Sequence, residues 1–235
     1  TFTNAPKTTD AAGQPVKANA FNVARTYVNV TGKVSSIVSF RITPDVTRET
    51  GSGGSLDGSM SFRMKYGYAQ FTLDRFTGNW RTFVRVGMQQ TPFIDGQESV
   101  YRYRFQGTVF AERDGGLSSS DYGVSLRTTF PKNYGDVHVG VYNGEGYSRA
   151  EANDQKALMV RATVRPLASS RTLLAGLKAT GYVHRDNVMA GAERNRAIAS
   201  ISLEQRRFNA GFDYMTRADR ANPSADRITS DGYSF

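Results

Sequence analysis

The chain has 235 residues, with 30 Lys and Arg against 21 Asp and Glu, a formal net charge of +9. Its mean hydropathy is −0.47, and no run approaches the roughly 20 apolar residues that a membrane-crossing helix needs, so a helical membrane protein is excluded. Cysteine is absent, which excludes disulfides and thiolate metal sites, and the excess of positive charge implies anionic partners.

Residues 1–19 (TFTNAPKTTDAAGQPVKAN) are polar without periodicity and read as a loose N-terminal arm; residues 20–235 read as one β domain. Strands are expected at about 21–31 and 36–46, the second with Val38, Phe40 and Ile42 opposite Ser39, Arg41 and Thr43. A Gly/Ser loop at 47–58 precedes a strand over 59–74, in which Met60, Phe62, Met64, Tyr66 and Tyr68 oppose Arg63, Lys65 and Gly67. The next strand, 80–90, sets Thr82, Val84, Val86 and Met88 against Phe83, Arg85, Gly87 and Gln89.

Residues 91–120 form the longest irregular stretch, although Tyr101, Tyr103 and Phe105 alternate with Arg102 and Arg104 as in a short strand. The clearest hairpin follows at 121–144. Tyr122, Val124, Leu126, Thr128 and Phe130 point one way in it, and the chain returns with Val137, Val139 and Val141 opposite His138, Gly140 and Tyr142. Further strands are expected at 156–165, 172–184, 195–204 and 207–215, with a last extended fragment at 228–235.

Two regularities stand above these elements. Connections alternate between tight (32–35, 131–136, 166–171, 205–206) and long (47–58, 91–120, 143–155, 185–194, 217–227), the mark of an up-and-down outer-membrane barrel. In addition, Arg41, Arg63, Lys65, Arg85, Arg127, Arg161, Arg165 and Lys178 all fall between neighbours of the apolar face. A lipid-facing midplane base costs roughly 2–4 kcal/mol, so these bases are expected to line a lumen as an anion pathway.

Alternation alone fits a soluble antiparallel barrel equally well, with apolar side chains inward and bases outside. Strand length favours the membrane, since the runs approach the roughly 9–11 residues of a membrane strand against about 5–6 in soluble sheets. Aromatics near strand ends, among them Tyr66, Tyr68, Trp80, Tyr122 and Tyr134, suit interfacial girdles. Other chemistry is not indicated. His138 and His184 lie in strands without carboxylates at metal-ligand spacing, and GSGGSLDG lacks the Gly-Lys-Ser/Thr ending of a phosphate loop. No cofactor, metal site or catalytic residue is assigned.

FNVARTYVNVTGKVSSIVSFRITPDV (21–46), VRVGMQQTP (84–92), SSSDYGVSLRTTF (118–130), DVHVGVYNGEGY (136–147) and EANDQKALMVRATVRP (151–166) resemble outer-membrane porins of the phosphate-selective O/P type. The resemblance spans roughly residues 20–217. It implies an all-β, antiparallel up-and-down transmembrane β-barrel in the bacterial outer membrane, a homotrimer among lipids and lipopolysaccharide. It also implies an inward-folded loop that narrows the pore, which would make Arg102, Arg104 and Arg113 constriction residues faced by Asp95, Glu98, Glu112 and Asp114. Porins of this family are longer, so the chain is expected either to supply only part of the barrel or to close a smaller one with Phe235, two residues after Tyr233, as its terminal aromatic.

The leading expectation is therefore passive passage of small anions such as phosphate, without nucleic acid as a partner. A structural or anchoring barrel within a larger assembly is the alternative. A soluble basic β domain that stacks nucleic acid on YRYRF (101–105) is a third reading.

Overall fold

The computed structural model describes residues 2–4, 8–9, 11–16, 19–21, 23, 25–49, 53–102 and 107–235. Near the N-terminus, 2–4 pairs with 19–21 and 8–9 with 15–16, in two small ladders apart from the main sheet. The main sheet comprises β1 (Arg25–Tyr27), β2 (Val30–Lys33), β3 (Val38–Arg48), β4 (Met60–Thr72), β5 (Arg81–Gln90), β6 (Ser120–Thr129) and β7 (Gly135–Tyr142). It continues with β8 (Ala157–Val164), β9 (Leu177–Arg185), β10 (Asn187–Met189), β11 (Ala192–Glu204), β12 (Asn209–Asp219) and β13 (Ile228–Ser234). All thirteen strands form one antiparallel meander.

β1 and β2 both pair with β3, and β10 extends β9 along β11, so the sheet has eleven rungs. With an odd number of antiparallel rungs, β1 and β13 run in the same direction. No pairing joins them among the described residues, and the sheet is open.

The two faces differ in chemistry as period-two alternation requires. Val124 (51 %) and its cross-strand partner Val141 (49 %) stand exposed on the outer face, with Leu126, Leu158, Val183, Ile201 and Phe212. Ser125, His138, Met159, Arg161, Tyr182 and Ser200 are buried on the inner one. Sequence reading assigned these phases correctly in β5 through β8.

Phase fails at one place. Thr43 pairs with Tyr66 but Pro44 with Met64, leaving Lys65 as an extra residue. This β-bulge turns both Lys65 and Tyr66 inward, and thereafter Tyr68 and Gln70 reach Arg85 on the inner face. Tyr66 and Tyr68 are thus inner-face residues rather than members of an outer aromatic girdle.

Other boundaries shift as well. The expected strand at 21–31 is broken into shorter pieces, and the one at 172–184 begins only at Leu177, after a short 3-10 turn. The expected loop at 185–194 is mostly ladder, closing through Gly191 with φ +78. Residues 101 and 102 are not in a strand, and the rest of the YRYRF run lies outside the described residues.

The connections 34–37, 73–80 (which holds the short helix α1, Asp74–Thr77), 130–134, 165–176 and 205–208 share one end of the sheet, here the tight-turn rim; 49–59, 91–119, 143–156 and 220–227 share the other, the long-loop rim. The stretch 91–119 is not irregular throughout. Pro92 starts helix α2 (Pro92–Val100) from an extended Thr91, the position where a missing amide costs nothing. Its polar side chains spread over β6 and β12: Asp95 pairs with Arg127 at 3.1 Å, and Gln97 Nε2 donates to Asp213 at 2.6 Å. Those strands are five sheet neighbours apart, roughly 24 Å along a flat sheet at about 4.8 Å per step, and the sheet curls round the helix. A short helix, Phe110–Arg113, brings the segment back towards the long-loop rim.

Candidate functional site

The inner face and the segment laid on it are the candidate site. Phe93 and Ile94 of α2, with Val109, Ala111 and Leu117, pack on Tyr142, Met159, Tyr182, Ile198 and Met215. Phe93 and Tyr182 have ring centroids 5.1 Å apart. This apolar cluster is the core of the molecule, and it sits on the face that the sequence marks as polar. Gly96 explains how close α2 can come, because a Cβ there would collide with the Arg161 guanidinium. A helix-interior glycine costs about 1 kcal/mol relative to alanine; here it admits the arginine.

Arg127, His138 and Arg161 are direct cross-strand neighbours on β6, β7 and β8. Asp136 Oδ2 accepts from Arg127 Nε at 2.9 Å and also from Arg161 Nη2. Arg161 Nη1 donates to the Pro92 carbonyl at 2.7 Å. An open cavity of about 250 Å³ lies beside α2, bordered by Arg127, Arg161, Arg165 and Lys178 and by the hydroxyls of Thr163, Thr180, Ser200 and Ser202. The same cavity meets Asp95 and Asp136.

The eight bases assigned to a pathway all have inward or rim positions, yet they do not form one free ladder. Arg63 pairs with Asp45 at 2.9 Å, and Lys178 with Glu204 at 2.7 Å. Lys65 Nζ donates to Ser119 Oγ at 2.9 Å and lies 5.0 Å from the ring of Tyr147. Arg41 is held by Thr43 and Asn29 and lies over Tyr66. Arg85 is held by Gln70 and Gln90 between Tyr68 and Phe83. Among the described residues neither Arg41 nor Arg85 forms an ion pair with a carboxylate. Arg165 lies just beyond β8, beside the cavity.

The expected constriction residues are scattered. Arg102 lies beyond the far end of α2, 3.5 Å from Glu204, whereas Arg113 pairs with its neighbour Asp114 at 2.8 Å and is mostly exposed. Arg104 lies outside the described residues. Asp95 compensates Arg127 rather than the loop arginines.

Sequence reasoning missed Arg196, which is buried, donates to Gly115 O at 2.9 Å and pairs with Asp219 at 2.6 Å. Its strand places Ile198 on the same side, so apolar character does not separate the faces there. Asp136 was missed because it begins a strand next to a turn glycine. At the long-loop rim Arg194 joins Asp186, and Glu145 lies 3.7 Å from Arg194. Burial lifts the Glu145 carboxyl above the ordinary glutamate range, against the opposing pull of Arg194.

Comparison with protein-family models, curated proteins and solved structures finds no match to the chain.

Proposed function

We propose that the chain forms the wall of an outer-membrane β-barrel whose inner side passes small anions, phosphate among them, by passive diffusion. The observation that carries this reading is the distribution of side chains. Valine, leucine, isoleucine and phenylalanine stand uncovered on the outer face, while arginine, lysine and hydroxyl groups line the inner one with a loop segment across it. An uncovered apolar band on a strand sheet is what lipid covers, and in water it would be an aggregation surface. Closing the open sheet, assembling a homotrimer and lying against lipopolysaccharide belong to the same proposal, as does the kinship with phosphate-selective porins.

Charge compensation narrows the selectivity expected. Four of the eight assigned bases, Arg63, Arg127, Arg161 and Lys178, have an acidic partner, so uncompensated positive potential concentrates at Arg85 and Arg41 and around Arg165 at the cavity. In planar bilayers the protein is expected to favour anions over cations, and Arg85→Glu to shift the reversal potential towards cation preference. An unchanged reversal potential would remove Arg85 from the pathway.

A second reading has its own observation. The apolar core formed by Phe93, Ile94 and Leu117 with Tyr142, Met159 and Met215 fills inner-face space that a wide channel leaves to water. An anchoring barrel closed by this plug would give near-zero conductance while remaining folded in the membrane.

A further inference from the structure

Basic side chains are not paired alike at the two rims. Towards the long-loop rim Arg113, Lys156, Arg194, Arg196 and Arg227 each meet a carboxylate, although Arg48, Arg149 and Arg185 there are exposed and have no ion pair among the described residues. At the tight-turn rim Arg75, Arg81, Lys132, Arg171, Arg206 and Arg207 are all exposed, and none has an ion pair among the described residues. The rim offers them little choice. Asp74 is the one acid in the connections 34–37, 73–80, 130–134, 165–176 and 205–208, and its Oδ1 already accepts from the Thr82 amide at 2.8 Å.

Uncovered apolar side chains stand among these bases: Phe76 (71 %), Leu173 (66 %), Phe208 (48 %) and Trp80 (44 %). They continue the apolar outer face to its edge. Alternating bare guanidinium and bare aromatic groups suit one environment, the boundary between acyl chains and phosphate headgroups.

We propose that the tight-turn rim is a docking surface for the anionic phospholipid headgroups of the leaflet it meets. Its unpaired arginines take phosphate oxygens, the geometry a guanidinium fork fits best, while Phe76, Trp80, Leu173 and Phe208 enter the acyl boundary. The long-loop rim, whose connections 49–59, 91–119, 143–156 and 220–227 carry ten acids against seven bases, has no such preference. This inference rests on the membrane reading above and adds a lipid class and a location.

Trp80 is the only tryptophan and stands at this rim beside Arg81, its ring edge-on to Phe130 at 5.2 Å. The full chain is reconstituted in phosphatidylcholine vesicles containing either brominated phosphatidylglycerol or brominated phosphatidylcholine, and quenching of Trp80 is compared. A surface base contributes up to about five-fold in anionic-lipid preference; phosphatidylglycerol is therefore expected to quench several-fold more effectively per mole, the advantage falling as salt rises. The variant Arg75→Gln/Arg81→Gln/Lys132→Gln, all at exposed and unpaired positions, should bring the two lipids to parity. Arg113→Gln/Arg227→Gln should leave the preference intact. Equal quenching by both lipids in the wild type, or a preference that survives the triple variant, overturns the proposal while leaving the membrane reading in place. Quenching by neither lipid overturns the membrane reading itself.

Discussion

Arg161 and Asp136 form an ion pair almost closed to water, with side-chain exposures of 2 % and 11 %. The same carboxylate oxygen also takes Arg127, so a single acid holds two bases from the strands on either side of it. Breaking a buried pair by removing one partner leaves a desolvated charge, at a cost of about 3–5 kcal/mol. Asp136→Asn is therefore expected to lower the urea unfolding midpoint sharply, because among the described residues Arg161 has no second carboxylate whereas Arg127 keeps Asp95. Asp136→Asn combined with Arg161→Met should recover most of the loss. A single variant as stable as the wild type would show that the pair contributes no net stability.

Placing a charge on the outer face separates the environments that alternation alone leaves open. Val124 and Val141 are each about half exposed and directly opposite one another. In water, Val124→Arg at such a site changes stability by roughly 0.5 kcal/mol or less. Against lipid it costs about 2–4 kcal/mol, read as a lower midpoint in vesicle-folded protein. A change too small to resolve would place this face in solvent.

The bulge in β4 makes a sharp prediction about neighbouring residues. Met64 is 40 % exposed and Tyr66 6 %, although strict alternation would put them on the same side. Met64→Cys should react readily with a lipid-partitioning thiol reagent, and Tyr66→Cys should be protected from it. Equal labelling would mean that β4 keeps one phase throughout and that Lys65 is not an extra residue.

Glu145 gives the pH dependence. Its carboxyl is raised in the folded protein, chiefly by burial, so the folded state binds more protons than the unfolded one between the ordinary value of 4.5 and the raised value. Its contribution to stability is present below that window and lost as pH rises through it. Glu145→Gln should flatten this part of the stability curve. A slope identical to the wild type would assign it to another group.

What the sequence made legible follows from what period two measures. In β5 through β8 apolar and polar side chains largely alternate, so strand and face could be read together, with Val124 and Val141 both on the apolar side. The reading failed where backbone irregularity or tertiary contact decides. A bulge at Lys65 is invisible because Tyr66 and Tyr68 are amphipathic and suit either side. Helix α2 was hidden because Asp95, Gly96 and Gln97 look like turn residues; the glycine is there to admit Arg161, a residue far away in the chain. Basic positions could be found by alternation, but their neutralisation could not, since Asp45, Asp136 and Glu204 reach their partners only through sheet pairing. Positive composition therefore suggested a freer cationic path than the ion pairs leave.

On the membrane reading proposed above, segment 91–119 is the part that sets conductance. Phe93 is 1 % exposed and stacks at a tilt on Tyr182, fixing α2 against β9, while Asp95 and Gln97 fix it to β6 and β12. Phe93→Ala should cost about 3–5 kcal/mol of local packing, and the loosened helix should give a larger, noisier unit conductance in planar bilayers. Replacing 92–118 with a short Gly-Ser linker should raise it further, because the apolar core then loses its whole inner layer. Should both variants conduct as the wild type does, the ions take a route that this segment does not border, and the cavity between α2 and Lys178 is not part of it.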